Sequence, residues 1–294
     1  MPIISDSFAV RYLASLSIII IAITPAQTIA ATFGKCKFDT ETMVFAGNPM
    51  EQASCLLRKV RILGNVEATP ADVPPNLAGF IGQPLTISKA QIRGAIGRLG
   101  LTEEGLGGSL DTPLSRGNSN SSHAPTARYF VIHDTSWPNF GSANFPEDID
   151  RSNQVNRLDG FVSQSDAKAH IFINRRGEIY VGHDFKVPWR ATKLELKIGT
   201  LSRGMFLHVE NVQPRRSHPN QADGNAPTPG FSQVQYERLA LLYLVASARA
   251  GVGLIPAFHA AIDEGLSDGH DDPQNFRLDN FDAALGRLLG SIRQ

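Results

Sequence analysis

The sequence has no net charge, because 28 basic side chains balance 28 acidic ones across 294 residues. A nucleic-acid binder would carry a basic footprint, so nothing here argues for a polyanion partner. Cysteine is nearly absent, with two residues in the chain and no CxxC spacing. That spacing argues against a thiol metal site and leaves a single bridge as the simpler use of the pair. No internal repeat is present. No apolar run reaches the roughly 20 residues that a comfortable membrane span needs. With 42% apolar and 19% charged residues, the composition excludes collagen-like, coiled-coil and wholly disordered chains. The length suits one large domain, or a domain with a smaller appendage.

The first thirty residues are set apart. Arg11 precedes an apolar stretch that includes Ile18 to Ile23, Pro25 breaks it, and Thr28-Ile29-Ala30-Ala31 supplies small residues. Charge, short apolar core and small-residue exit describe a secretory signal peptide over residues 1–30, with an uncleaved anchor as the alternative. Cys36 follows Gly34-Lys35, which does not resemble a lipoprotein acceptor site. Export implies a periplasmic or extracellular protein, and in such a compartment Cys36 and Cys55 read as a disulfide.

Residues 31–115 read as an N-terminal extension of short helices. The sequence predicts one helix over 49–63, a Pro- and Gly-rich loop over 65–86, and a helix over 88–99 begun by Ser88 and Gln91. The polar stretch 116–127 reads as a flexible exposed loop.

From residue 128 the character changes. Arg128 to His133 is a buried-strand run, 169–182 reads as a β-hairpin, and Met205 to Val212 is a further strand with His208 and Glu210 on one face. Residues 214–230 form a long Pro- and Gly-rich loop of the kind that often binds ligands. Ser232 with Gln235 opens a helix to about Ala250, and a last helix covers 279–292. Strands alternating with helices predict an α/β (α+β) domain over 128–294, built on a mixed central sheet flanked by helices.

All eight histidines lie between residues 123 and 270. His133 ends a strand and is followed by Asp134-Thr135-Ser136. His259 follows an apolar segment, and His270-Asp271-Asp272-Pro273 comes after a Gly-rich interval that reads as a loop. Two histidines and a carboxylate at element edges can make a three-ligand zinc site. Taken singly, a strand-end histidine is more often a structural residue than a ligand.

Four ordered blocks sharpen this. Val131-Ile132-His133-Asp134-Thr135-Ser136, Ala169 to Ile179, Leu207-His208-Val209-Glu210-Asn211, and His259 with Asp272-Pro273 stand in one sequence. From about Tyr129 to Leu285 the chain resembles the zinc-dependent N-acetylmuramoyl-L-alanine amidases of the type 2 family. That family includes phage lysozyme-type amidases and peptidoglycan recognition proteins. The resemblance implies zinc ligation by His133, His259 and Asp272, with Asp271 as the competing carboxylate. It implies that Glu210 is the general base toward the attacking water and then the proton donor to the leaving amine. His270 stands where relatives carry a lysine that supports the developing oxyanion; histidine can serve when protonated or through a neutral N–H. Arg190, in Trp189-Arg190-Ala191, is implied to meet a peptide carboxylate. His170 and His208 are candidates to line the substrate groove or to stand behind the ligands, with purely structural roles as the alternative. The substrate implied is peptidoglycan or muropeptides; the balanced charge argues for no nucleic-acid partner, and a monomer is favoured over an oligomer. A non-catalytic peptidoglycan-binding module and a zinc peptidase acting on stem peptides are the competing readings.

Overall fold

The computed structural model describes residues 32–61, 65–162, 168–217, 224–267 and 269–293. The expected signal peptide lies outside the described residues, as does Asp268 in the interval before His270.

Three short antiparallel strands, β1 (Thr32–Phe33), β2 (Phe38–Asp39) and β3 (Val44–Phe45), open the described chain. A Cys36–Cys55 disulfide ties them to α1 (Pro49–Leu56). Asn48 and Glu51 cap each other's backbone at the start of α1 and Pro49 fills its first turn, so the predicted start holds. The predicted end does not. After Leu56 the buried Arg58 donates to the Cys55 carbonyl, and Val60 bridges to Val66 in an extended segment. The loop predicted over 65–86 contains one helical turn, α2 (Pro75–Ala78), and α3 (Lys89–Arg98) starts from the Ser88–Gln91 capping box.

Residues 116–127 close on themselves. Arg116 bridges to Thr126, Gly117 N–H donates to the Pro125 carbonyl, and the turn α4 (Gly117–Asn120) carries Asn118 and Ser119 in left-handed conformations.

The main sheet contains β4 (Tyr129–Asp134), β5 (Ile171–Ile173), β6 (Ile179–Val181), β7 (Phe206–Asn211) and β8 (Ile255–Phe258). Its order is β6-β5-β7-β4-β8; β6 runs antiparallel to β5 and the other pairings are parallel. The short turns α5 (Asn153–Asn156) and α6 (Asp159–Val162) precede β5, and α7 (Lys193–Ile198) precedes β7. The long helices α8 (Gln233–Ala250) and α10 (Leu278–Arg293) pack on each other. Between them α9 (His259–Asp263) follows β8 directly. This is a mixed sheet flanked by helices, as the alternation of strand and helix patterns predicts.

Central β4 is buried at every position, which explains its unbroken apolar run. Ser232 and Gln235 cap α8, and Gly251, at φ +75°, closes it in the left-handed conformation that glycine adopts without strain.

The N-terminal segment shares the core of the sheet. Phe38 and Phe45 pack against Tyr129 and Phe206, and the Tyr129 hydroxyl accepts from Phe45 N–H while donating to Gln52. Among the described residues no helix is long and apolar enough to cross a membrane.

Candidate metal centre

Strand register assembles the site. His133 pairs with Glu210 across β4 and β7, and Val131 pairs with His208. Partners side by side in a sheet face the same way, so His133, His208 and Glu210 share one face near the carboxyl ends of parallel strands. β8 pairs with β4 as far as Phe258, and His259 comes next. A crevice outside the carboxyl ends of parallel strands is the usual place for a ligand in such a sheet.

There His133 Nδ1 and His259 Nδ1 face each other at 2.8 Å. Asp272 lies 3.0 Å from His259 Nδ1 and 3.6 Å from His133 Nδ1. All three residues are buried, and one ligand atom from each falls within 4.8 Å of the others. Two imidazoles and a carboxylate are a donor set suited to zinc, and this group could hold a metal ion. Asp272 is fixed from two sides: its side chain accepts from Asp134 N–H, and its carbonyl accepts from Ala260 N–H. Asp271, the competing carboxylate, instead accepts from Gln274 Nε2.

Glu210 Oε1 stands 3.8 Å from His133 Nδ1. Its Oε2 is buried without a hydrogen-bond partner among the described residues. An orphaned carboxylate oxygen beside three potential ligands fits a site that receives another group. Burial, reinforced by the charge of Asp272, pushes the Glu210 carboxyl well above the usual carboxylate range.

The other charges respond to the same crowding. Burial holds His133 well below the usual imidazole value, and repulsion from His259 adds to it. Burial also works against charge on His259, but Asp272 and Asp263 outweigh it and hold its pKa well above the ordinary value. Asp272 shows the converse: burial raises it, and His259 brings it below the usual range. Next to it, burial pushes Asp134 up to about 6 although Arg215 is paired with it at 2.7 Å.

His270 is half-exposed, stacks on His259 with ring centroids 4.3 Å apart, and lies 3.7 Å from Asp272. Burial against this cluster lowers its pKa. Arg190 is exposed on the segment between β6 and α7, and neighbouring Trp189 stacks on His183.

Two sequence expectations are corrected. His170 is not a groove residue. It is fully buried, its Nδ1 accepts from His208 N–H, and its Nε2 is 3.0 Å from the Val187 carbonyl. Both ring nitrogens are occupied inside the protein. The interval from His259 to Asp272 is not loop throughout, since its first five residues form α9. Two adjacent alanines favour the helix, and it brings Asp263 to within 3.0 Å of His259 Nε2.

Sequence reasoning missed the carboxylates behind the histidines. Asp263 stands behind His259, and Glu195 stands 3.1 Å from His208 Nε2, while His208 Nδ1 is 3.0 Å from His133 Nε2. Both carboxylate contacts are close in distance but off the line of a regular hydrogen bond. Thr192-x-x-Glu195, a capping-box spacing, was the available signal for one of them.

No family model and no curated protein matches the chain. Among solved structures it is similar to the "Endolysine N-acetylmuramoyl-L-alanine amidase LysCS from Clostridium intestinale URNW". The identity is 15%, the match covers 60% of this chain and 91% of that one, and the TM-score is 0.30.

Proposed function

We propose that the chain is an exported zinc-dependent N-acetylmuramoyl-L-alanine amidase. It hydrolyses the amide bond between the lactyl group of N-acetylmuramic acid and L-alanine in peptidoglycan or muropeptides. The observation that carries this reading is the convergence of His133, His259 and Asp272 beside the orphaned Oε2 of Glu210. The sequence blocks that resemble the type 2 amidases contain these same four residues.

Held by His133, His259 and Asp272, a zinc ion would supply a Lewis acid that polarises the scissile carbonyl. Glu210 takes a proton from the attacking water as the water oxygen bonds to the carbonyl carbon. It returns that proton to the alanine nitrogen as the carbon–nitrogen bond breaks. His270, stacked over His259 at the rim, presents an N–H or a positive charge to the developing oxyanion. Exposed Arg190 meets a carboxylate of the stem peptide. The Cys36–Cys55 bridge supports an oxidising compartment, consistent with a signal peptide over residues 1–30.

Mass spectrometry of products from purified sacculi and soluble muropeptides tests the reaction. Release of peptides with a free L-alanine amino group, together with peptide-free muramoyl glycans, is expected. Cleavage inside the stem peptide would replace the amidase with a peptidase, and binding without cleavage would leave a recognition module.

A further inference from the structure

Both cluster histidines turn Nδ1 inward, and both lead outward from Nε2 to a buried carboxylate. For His259 the path is direct, to Asp263 one turn along α9. For His133 a second histidine intervenes, so the path runs from His133 Nε2 to His208 Nδ1 and from His208 Nε2 to Glu195 Oε2. His208 and Glu195 are completely buried.

Donor and acceptor chemistry orders the protons along this path. A ring nitrogen that binds a metal carries no proton, so His133 holds its proton on Nε2 and donates it to His208 Nδ1. His208 then carries its own proton on Nε2, toward the Glu195 carboxylate. The opposite order would set a bare ring nitrogen against that carboxylate and a proton where the metal belongs. His208 is itself fixed, because its backbone N–H donates to His170 Nδ1 and the two rings stack at 5.7 Å.

The two outer carboxylates share one support. Asp263 accepts from the N–H groups of Lys193 and Leu194 in the first turn of α7. Glu195 Oε2 accepts from Ala191 N–H, Thr192 N–H and the Thr192 hydroxyl at the same helix start. One short helix therefore sets what stands behind both histidines.

We propose that Glu195 and His208 are positioning residues that hold His133 in the tautomer and orientation presenting Nδ1 to a metal ion. Asp263 does the same for His259, and the first turn of α7 fixes both carboxylates. The proposal rests on the metal reading of the cluster and is independent of which amide bond is cut.

Zinc affinity by chelator competition, and the visible absorption of the cobalt(II)-substituted protein, test it on wild type, His208→Phe, His208→Asn and Glu195→Gln. Phenylalanine keeps the ring and its packing but removes the acceptor, so zinc should bind roughly 10- to 100-fold more weakly and the cobalt spectrum should change. Asparagine places an amide oxygen near the lost Nδ1, so His208→Asn should recover most of the affinity. Glu195→Gln keeps the helix cap, and its cobalt spectrum should shift in the same direction as that of His208→Phe. Wild-type affinity and spectrum in His208→Phe would overturn the proposal while leaving the metal reading intact. Should His208→Phe show no cooperative thermal transition, a wild-type cobalt spectrum in Glu195→Gln would overturn it. A wild-type protein that binds no zinc would instead overturn the metal reading, and this proposal with it.

Discussion

Arg58, buried in the N-terminal segment, is ion-paired with Glu264, the residue that closes the helix begun by His259. The same guanidinium donates to the carbonyls of Cys55 and Glu67, and Lys35 adds a second cation 3.5 Å from Glu264. The segment before the sheet thus braces the element that carries a candidate ligand. Glu264→Ala leaves the Arg58 charge buried without its carboxylate and should cost roughly 2–4 kcal/mol of stability. Urea denaturation measures this, and an unchanged midpoint would remove the pair from the account.

The Cys36–Cys55 bridge closes a sequence separation of 19 residues in that same segment. Replacing both cysteines by serine should lower stability by about 3 kcal/mol in the chain-entropy picture. Thermal unfolding of the double variant against the oxidised parent checks the value. Reducing the parent should bring its transition toward that of the variant.

Glu210→Gln separates proton transfer from metal holding. The side-chain shape survives and the base is lost, so zinc content should persist while turnover of a muropeptide falls roughly 10²–10⁴-fold. Retained turnover would take Glu210 out of the reaction. Loss of zinc would make it a ligand.

Glu103 gives a pH-dependent stability prediction away from the metal cluster. Burial raises its pKa, but the Leu110 N–H and Arg93 outweigh that and hold the carboxyl below its usual value. A carboxyl depressed in the folded state stabilises above its unfolded pKa, and that contribution is lost as pH falls through the folded value. Glu103→Gln should therefore be less stable than wild type near neutrality, with the two proteins converging in acid. A gap that stays constant from neutral to strongly acidic pH would contradict this.

Much of the fold follows from local signals: the apolar run of β4, the capping boxes at Ser88 and Ser232, and the helical spacing of α10. His133 and His259 stand out because each lies at the edge of a regular element, whereas Asp272 sits in the irregular segment between α9 and α10, and the fold brings the three together. The rest depends on distant register. His208 shares a face with Glu210 by simple alternation, but its partner His133 is reached only once β4 lies parallel to β7. His170 faces inward for the same reason, because its neighbours are the β7 backbone and the Val187 carbonyl. α9 escaped notice because five residues between a strand and a glycine are too short to show helical periodicity.

Zinc binding by the purified protein tests the central claim most directly. Metal-depleted wild type, titrated with zinc against a chelator of known affinity, should take up one equivalent, and His133→Ala and His259→Ala should each lose that uptake. Wild type that takes up no zinc, or uptake unchanged in both variants, would contradict a metal centre at His133, His259 and Asp272.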